Sequence, residues 1–589
     1  MARTLPRTDA VIVGFGWTGA IAAKELTDAG LSVVALERGP AYGQDDFATR
    51  RMHDGLTYSV RGGLATPLDR VTLTFRNNGD QTALPMRRIG SFNPSQGFGG
   101  SGNTWSGHSP RAYPSDFVLR SHYTERYGAD IFPEHMTSQD WGVTWDEVEP
   151  GYDRFEKVAA VSGTAGNVRG ERREGGNPYE GERSDDFPLP AFERNRPGRL
   201  FIETAQSMGL NPFPVPVANA SEAYTNAYGV EMGRCVLCGH CPGFACAYQA
   251  KGSPVNSVIP AIGGDFEARS ECEVLRIERA EDGRTVTGVT YLSPAGEELF
   301  QPADIVILGA YAFENVRLLL LSGIGAAYDP ATGEGVVGRN YSYQTLANVE
   351  AFFEGEAMNP QIAGGSQGTI LDDYQSDNFD HAQALVDGRP FIGGGFIGPF
   401  NLGADPITYH PTAPGSPPWG AGWKEAVVAG YQNRVGINVH ASVQSYRGNY
   451  LDLDPTYRDA YGRPLLRMTF DFPDNEQRMM RFLMDRAEEI AREMGASQVR
   501  ANGLKVPYDI TVYQTTHNVG GTAMGADPGT SVVNTALQHW DAHNLFVLGG
   551  SVFPQNVGVN PTPTIAALAY HSLGRLTGEY LSDPRPLDA

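Results

Sequence analysis

Two polar side chains near the end of the sequence lie in surroundings that suit chemistry. His517 is followed by Asn-Val-Gly-Gly-Thr-Ala-Met-Gly525, and Asn560 lies within the stretch Asn556-Val-Gly-Val-Asn-Pro-Thr-Pro-Thr-Ile565. Glycine lets a backbone approach a bound ligand closely, because it has no Cβ atom. A histidine can accept a proton near neutral pH. Taken singly, a core histidine and a helix-capping asparagine would be the simpler interpretations.

A run of cysteines is the second candidate for chemistry. Its members, in a C-x2-C-x2-C-x4-C pattern, are Cys235, Cys238, Cys241 and Cys246. Structural zinc usually joins two separated C-x2-C pairs, which this run lacks. A haem attachment needs C-x-x-C-H, but Gly239 precedes His240. Ferredoxin runs read C-x2-C-x2-C-x3-C-P; this run has the first two gaps, a longer third gap and Pro242 at a different place. We predict a [3Fe–4S] or related iron–sulfur cluster, with disulfides or free structural thiols as alternatives.

A glycine fingerprint near the other end of the chain predicts a dinucleotide site. Gly14, Gly16 and Gly19 match G-x-G-x-x-G between a buried strand and a helix over residues 20–29, and Glu37 ends the next strand. The glycines permit a tight turn and close approach to a pyrophosphate, and the helix N-terminus presents N–H groups to it. The acidic residue lies where a ribose hydroxyl needs an acceptor. The motif does not distinguish NAD from FAD.

The remaining pattern predicts an α/β protein whose nucleotide domain is discontinuous. The glycine-dense loop 96–107 carries Trp105 and can wrap a planar ring. Asp282-Gly283 predicts a hairpin between residues 271–278 and 285–292. Further expected elements are a strand at 304–310, a helix at 313–321, a helix at 475–493, a strand at 544–551 and a last helix at 560–577. We predict a nucleotide domain at 1–160, 250–345 and 512–589, an exposed excursion with the cysteines at 161–249, and a substrate domain at 346–511.

Composition and charge narrow the function classes. The chain has 589 residues, 41% of them hydrophobic, and a formal net charge of −22. This charge argues against nucleic acid or an anionic membrane surface as partner. No apolar run reaches the roughly 18–20 residues of a membrane span. The first residues lack a signal-peptide pattern, so we expect a soluble chain without its own export signal.

These motifs, in this order, resemble those of the glucose–methanol–choline (GMC) oxidoreductases. The resemblance rests on the fingerprint with Glu37, the Gly99-Gly100-Ser101 loop, the setting of His517, and Asn560-Pro561. Within the family, the cysteine run and the loop after Gly99 most resemble the flavoprotein subunits of bacterial gluconate and related sugar dehydrogenases. Pyranose oxidases are the next nearest.

The resemblance implies a Rossmann-like FAD-binding domain and a substrate domain built on a mainly antiparallel sheet over the flavin. It implies FAD contacts at Gly14, Gly16, Trp17, Thr18, Gly19, Glu37, Arg38, Gly99, Gly100, Asn103, Thr104, Trp105, Gly550, Asn560 and Thr562. Pyranose oxidases link FAD covalently to a histidine directly before the tryptophan of this loop. Thr104 holds that position here, so we expect non-covalent FAD.

The same resemblance assigns roles to the two residues described first. His517 is expected to be the catalytic base and Asn560 to position the alkoxide, while hydride passes from carbon to flavin N5. The last helix, expected to begin at Asn560, would direct its N-terminal N–H groups towards the flavin, which favours an anionic reduced flavin by roughly 0.3–2 kcal/mol.

The function implied is an FAD-dependent dehydrogenase that oxidises a hydroxyl of a sugar, sugar acid or glycoside to a ketone or lactone. Electrons would leave through the cysteine-held cluster to a cytochrome c or quinone-linked acceptor, with a small partner subunit. Such a complex works in the periplasm after export with its partner, or in the cytoplasm. A soluble pyranose or glycoside oxidase that uses oxygen is the main alternative, and a GMC-fold lyase without a redox step is another.

Overall fold

The computed structural model describes residues 2–48, 65–92, 94–359, 367–399 and 410–588. The α/β class expected from the sequence is confirmed. The helices are Trp17–Asp28, Gln44–Ala48, Pro114–Phe117, Leu119–Tyr127, Trp145–Ala159, Arg196–Ser207, Pro254–Ser257, Ala312–Ser322, Gly420–Asn433, Asp474–Glu493 and Thr562–Arg575. Among the helices that the structure describes, none is long and apolar enough to cross a membrane.

A mixed sheet, here called the nucleotide sheet, gathers strands from distant parts of the sequence. In spatial order its strands are Phe266–Arg269, Val33–Leu36, Thr8–Val13, Glu298–Leu308, Val286–Leu292 and Glu273–Arg279, with Leu545–Val547 and Arg3–Thr4 also paired to Glu298–Leu308. The pairs that flank Thr8–Val13 are parallel, and the last three strands form an antiparallel meander. The hairpin expected across Asp282-Gly283 is therefore present.

The parallel strands are apolar because both of their faces are buried. Residues 10–13 and 305–308 are at most 4% exposed, as expected when helices cover a parallel sheet on both sides. Parallel strands end at the same edge, so the turns after Val13 and Leu308 lie side by side. The strand Leu545–Val547 ends at this edge too. This edge positions the site described below.

A second, antiparallel sheet, here called the cover sheet, agrees with the sheet expected for the substrate domain. Its strands in spatial order are Pro212–Pro214, Thr369–Leu371, Gly395–Gly398, Arg434–Ala441, Thr345–Phe352 and Gln498–Asn502. Alternate residues such as Val349 and Ile437 are buried in one cluster with Met480 and Leu483 of the helix Asp474–Glu493. Because side chains alternate along a strand, the residues adjacent to these in sequence face the opposite side of the cover sheet.

The glycine-rich stretch 393–400 differs from what its composition alone indicates. The sequence predicts a loop there, but residues 395–398 form a strand of the cover sheet. Their glycines allow close strand packing: a Cβ atom on Gly398 would lie 2.0 Å from the carbonyl oxygen of Thr369. Phe400 lies outside the described residues.

The segment expected to be an exposed excursion is partly buried. Arg183 is fully buried and donates to Glu156, which also pairs with Arg111. Neighbouring arginines hold the pKa of the Glu156 carboxyl below its usual range despite burial. Charged side chains can be buried when they are paired in this way. This cluster fixes the helix Trp145–Ala159 that supports the last helix.

The last helix is packed closely against that support. A Cβ atom on Gly151 would lie 2.4 Å from the carbonyl oxygen of Ala567, so only glycine permits this approach of two helix backbones. Tyr152 and Thr564 share a buried hydrogen bond of 2.6 Å between their hydroxyl oxygens. The beginning of the helix Thr562–Arg575 is therefore held firmly at the edge of the nucleotide sheet.

Strands outside the two large sheets form smaller ribbons. A four-stranded sheet orders Tyr450–Arg458, Pro464–Thr469, Leu73–Arg76 and Leu84–Pro85. Two-stranded pairs join Tyr224–Thr225 with Glu231–Met232, Ser342–Tyr343 with Asn518–Val519, Ser162–Gly163 with Leu189–Pro190, and Asn167–Val168 with Glu171–Arg172. The pairing of residues 342–343 with 518–519 joins the entry of the cover sheet to the segment that carries His517.

Candidate active site

A large cavity lies where the edge of the nucleotide sheet meets the cover sheet. Its volume is about 640 Å³, within the range of roughly 300–1,000 Å³ that is usual for small-molecule sites. Many of the residues expected to bind cofactor or substrate line it: Gly14, Gly16, Trp17, Thr18, Glu37, Arg38, Gly100, Thr104, Trp105, His517, Gly550, Asn560 and Thr562. Sites distributed over the whole sequence therefore converge on one space.

The fingerprint turn forms one end of this cavity. Gly14 has φ of +92°, and the helix begins at Trp17 with Gly16 as its N-cap. A Cβ atom on Gly14 would lie 2.5 Å from the carbonyl oxygen of Gly309, and one on Gly19 would lie 2.0 Å from that of Gly14. The turn thus brings three backbone segments together at the start of the helix, where N–H groups can receive a phosphate.

Glu37 lines the cavity and also holds the turn together. Its buried carboxylate accepts hydrogen bonds from the backbone N–H groups of Phe15 at 3.0 Å, Gly39 at 2.8 Å and Gly97 at 3.1 Å. A carboxylate has about four lone-pair positions, so it can serve these donors and a ligand hydroxyl as well. Sequence reasoning assigned this residue to the ribose alone.

Three of the residues expected to contact the cofactor lie behind the cavity wall. Gly19 packs against Gly14, as described above. Gly99 donates its N–H to the carbonyl oxygen of Phe15 at 2.8 Å. The Asn103 side chain donates to the carbonyl oxygen of Phe98 at 2.7 Å. These residues shape the loop around the cavity, whose surface is formed by Gly100, Thr104 and Trp105.

His517 and Asn560 face each other at the junction with the cover sheet. Asn560 Nδ2 lies 3.5 Å from His517 Nε2. The other ring nitrogen of His517, Nδ1, is in contact with Oε1 of Gln344. Asn560 is buried, and its Oδ1 atom has no hydrogen-bond partner among the described residues. The pair therefore presents one ring nitrogen and one side-chain amide to a ligand in the cavity.

Burial determines the charge of His517. Loss of solvent, with a smaller contribution from the nearby imidazole of His108, lowers its pKa to about 3. Burial likewise lowers the pKa of His440 well below its ordinary value, with His517 and His108 as secondary causes. An imidazole with so low a pKa is neutral across the physiological range. His517 is therefore available to accept a proton.

The last helix begins two residues later than the sequence predicts. It starts at Thr562, with Pro561 as N-cap and Pro563 in the first turn, positions where a missing N–H has no consequence. Asn560 thus precedes the helix and is free to face the cavity. Thr562 and Ile565 line the cavity, so the positive end of the helix dipole points into it.

Several cavity residues could not be assigned from motifs. Asn438 and His440 lie two residues apart on one strand of the cover sheet, and Leu346 pairs with His440 on the neighbouring strand. The only signal for them is the strand alternation of residues 434–441, which does not show what the polar face meets. Gln344 has no sequence signal at all, because its partner His517 is 173 residues away.

The cavity wall fits the expected FAD. Buried polar atoms without a hydrogen-bond partner among the described residues occur on Trp17 Nε1, Arg38 Nε, Gln514 Oε1 and Asn560 Oδ1, and all four residues line the cavity. Unpaired buried polar atoms are rare in folded proteins and call for a ligand or water. Together with the glycine turn for a pyrophosphate, they suit a long ligand with polar groups along its length.

The cysteine run lines a separate, small cavity. Cys235, Cys238, Cys241 and Cys246 surround about 20 Å³ together with Lys251, and no disulfide joins these four cysteines. That space holds about one water molecule. In the part of the chain that the structure describes, no three His, Cys, Asp or Glu residues are placed to hold a metal ion. The geometry therefore does not support the predicted iron–sulfur cluster and agrees with the alternative of free thiols.

Comparisons with known proteins agree with this fold and site. The family model described as GMC oxidoreductase matches residues 445–569. A gluconate 2-dehydrogenase flavoprotein from Pantoea cypripedii is 46% identical over 100% of this chain and 96% of its own length. A fructose dehydrogenase large subunit from Gluconobacter japonicus is 25% identical over 95% and 96% of the two chains. A solved structure of formate oxidase from Aspergillus oryzae, 16% identical, has a TM-score of 0.61 over 99% of both chains and supports the fold alone.

The substitution Gly19→Ala is expected to abolish retention of FAD. Its Cβ atom would lie 2.0 Å from the carbonyl oxygen of Gly14, so the helix must move away from the turn that receives the pyrophosphate. Flavin content per chain measures the effect, and circular dichroism separates it from unfolding. The control Gly574→Ala, with no atom within 4 Å of the new Cβ, should retain FAD. Full flavin content in Gly19→Ala would contradict this account of the turn.

Proposed function

Because the chain belongs to the GMC oxidoreductase family and is thus an FAD-dependent enzyme acting on CH–OH groups, we propose that it is a dehydrogenase of a sugar acid of the gluconate type. The observation that carries the proposal is the 46% identity to a gluconate 2-dehydrogenase flavoprotein over the whole chain. The reaction proposed is oxidation of the secondary alcohol beside the carboxylate to a ketone.

The polar wall of the cavity supports a substrate rich in hydroxyl groups. The cover sheet contributes Asn438 and His440, and Gln514 contributes a buried amide oxygen without a hydrogen-bond partner among the described residues. Amide and imidazole groups both donate and accept hydrogen bonds. A substrate that lacked a matching hydroxyl group would leave the buried Gln514 oxygen unpaired, which is unfavourable.

His517 and Asn560 are proposed to handle the proton of the reacting hydroxyl. When bound, FAD supplies the acceptor for the hydride that leaves the substrate carbon. His517 Nε2 takes the hydroxyl proton, and Asn560 Nδ2, 3.5 Å from that nitrogen, donates to the substrate oxygen as it becomes a carbonyl. The N-terminus of the helix Thr562–Arg575 contributes positive potential at the same place.

Electrons are proposed to pass from the reduced flavin to an external acceptor on a partner protein, and not directly to oxygen. One similar protein is named as a large subunit, which supports a multi-subunit enzyme. The loop of the cysteine run also touches the cavity, since the Gly243 N–H donates to the carbonyl oxygen of Thr104 at 2.6 Å. Slow peroxide formation with gluconate and fast turnover with an artificial electron acceptor would distinguish this enzyme from an oxidase.

His517→Ala is expected to slow flavin reduction by gluconate about 10²–10⁴-fold, the usual contribution of a positioned general base. FAD should remain bound, because the substitution removes no group of the fingerprint turn. Anaerobic stopped-flow absorbance measures the bleaching of the flavin. His543→Ala serves as control, because His543 contacts Tyr580 outside the cavity. Wild-type bleaching rates in His517→Ala would refute the assignment of the base.

The rate constant of flavin reduction should not fall between pH 8 and pH 5 through titration of His517. The pKa of His517 lies at about 3, so the neutral form that accepts the proton is present above that pH and is lost only as the pH falls through it. Measurement at saturating gluconate over about three pH units tests this, since an ordinary histidine titrates near pH 6.5. An acid limb near pH 6.5 that persists in the His440→Gln and His108→Gln controls would assign this titration to His517 and contradict the prediction.

The cluster predicted from the cysteine spacing stays a prediction and can be tested by composition. If the run holds iron and sulfide, the loop around the small cavity must open to admit them. Purified holoenzyme would then contain iron and acid-labile sulfide in excess over flavin, and Cys241→Ser would lose both. The control Cys272→Ser, outside the run, would retain them. Iron-free protein with five reactive thiols, the number of cysteines in the chain, would refute the cluster.

A further inference from the structure

We propose that Gln344 is a positioning residue that fixes the tautomer of His517 and directs its proton-accepting nitrogen at the substrate. This inference rests on the proposed role of His517 as base. Gln344 itself does not line the cavity and has no assigned function. It lies at the entry to the cover sheet, between the strand Ser342–Tyr343 and the strand Thr345–Phe352.

The backbone around Gln344 is locked against the segment that carries His517. Tyr343 pairs with Asn518 in a short antiparallel ladder. The Thr515 hydroxyl donates to the carbonyl oxygen of Gln344 at 2.9 Å. The Gln344 side chain is fully buried, so it cannot exchange its protein partners for water. The backbone contacts and the burial of the side chain therefore fix the position of Gln344 relative to the His517 imidazole.

The orientation of the Gln344 amide follows from its second partner. Nε2 donates to the carbonyl oxygen of Gly558 at 2.6 Å, and a carbonyl oxygen can only accept. The amide oxygen Oε1 must then be the atom that contacts His517 Nδ1. Because an amide oxygen carries no proton, the contact is a hydrogen bond only if Nδ1 carries one.

The consequence for the other ring nitrogen is direct. In a neutral imidazole with the proton on Nδ1, Nε2 carries the lone pair. That lone pair points towards Asn560 Nδ2, 3.5 Å away, and into the cavity. Gln344 also holds Gly558, two residues before Asn560, so one side chain sets the positions of both members of the pair. The opposite tautomer would place an N–H where the substrate proton has to be received.

The choice of a neutral amide also limits the basicity of His517. When the imidazole accepts a proton, its Nδ1–H bond to Oε1 becomes charge-assisted, but the amide supplies no full negative charge. The other titratable groups facing His517 are the imidazoles of His108 and His440, and His108 disfavours a positive charge on it. Two tyrosines, Tyr311 and Tyr513, line the same cavity, and the Tyr311 hydroxyl accepts a hydrogen bond from the Asn518 side chain. A carboxylate in place of Gln344 would therefore change the pH at which the base is active.

The substitution Gln344→Leu tests the positioning role, with Gln375→Leu as matched control. Gln375 is also fully buried, and its Nε2 donates to the carbonyl oxygen of Val557 at 2.6 Å, so it anchors the same loop without contact to His517. Anaerobic flavin reduction by gluconate in Gln344→Leu is expected to slow about 10²-fold, at the lower end of general-base contributions, with little change in the substrate concentration for half-saturation. Gln375→Leu should slow it only a few-fold.

If flavin reduction slows equally in the two variants, Gln344 only anchors the loop and the proposal is wrong. An unchanged rate in Gln344→Leu would also overturn it. The comparison with His517→Ala separates this outcome from failure of the proposed function. If flavin reduction stays fast in His517→Ala, His517 is not the base and the proposed function fails. If it is slow in His517→Ala but fast in Gln344→Leu, only the positioning role of Gln344 is refuted. Flavin content of each variant is measured first, so that only holoenzyme is compared.

Gln344→Glu tests the pH dependence of flavin reduction, which would not change if Gln344 only anchored the loop. A carboxylate within hydrogen-bond distance favours the imidazolium and raises the pKa of its histidine neighbour, typically by about 1–3 pH units. The neutral base is then lost as pH falls through that higher value, so an acid limb absent from the wild type should appear in the rate of flavin reduction. A pH profile in Gln344→Glu identical to that of the wild type would contradict the proposal.

Discussion

The close approach of three backbone segments at the edge of the nucleotide sheet is the constraint on which the rest of the site depends. Gly14, Gly19 and Gly309 leave no room there for a Cβ atom. Without that contact, the first helix could not begin directly behind the turn, and its N–H groups would not face the cavity. Parallel pairing then brings the ends of Glu298–Leu308 and Leu545–Val547 to the same edge. The cofactor cavity is thus a product of sheet topology and glycine geometry together.

A second constraint is the limited contact of His517 and Asn560 with water. Loss of solvent keeps the pKa of His517 low. The contact of its Nδ1 atom matters because the partner, Gln344, is fully buried and cannot turn to solvent. The site meets this requirement with neutral groups: Gln344 on one ring nitrogen and Asn560 near the other. Such an arrangement keeps the imidazole uncharged, and we propose that it determines which ring nitrogen receives the proton.

The sequence was sufficient for the parts of the molecule that depend on local patterns. The fingerprint turn, the hairpin across Asp282-Gly283 and the helix at Asp474–Glu493 all follow from periodicity and turn residues. Burial of Arg183 was not predictable, because its segment is rich in charge and its shortest ion pair is with Glu156, 27 residues away. The start of the last helix at Thr562 was missed for a different reason, since prolines are compatible with several positions at a helix start.

Site residues that lie in sequence motifs could be predicted, whereas those that are brought to the site by contacts between distant strands could not. His517, Asn560 and most of the residues expected to contact the cofactor line one cavity, whereas the positions of Gln344 and His440 depend on pairing of strands far apart in the chain. The most direct test of the account is an experimental structure of the FAD-loaded protein with gluconate bound. The account predicts the reacting hydroxyl within about 3 Å of both His517 Nε2 and Asn560 Nδ2, the distance of a hydrogen bond. A hydroxyl held by other residues, with the flavin ring remote from His517, would contradict it.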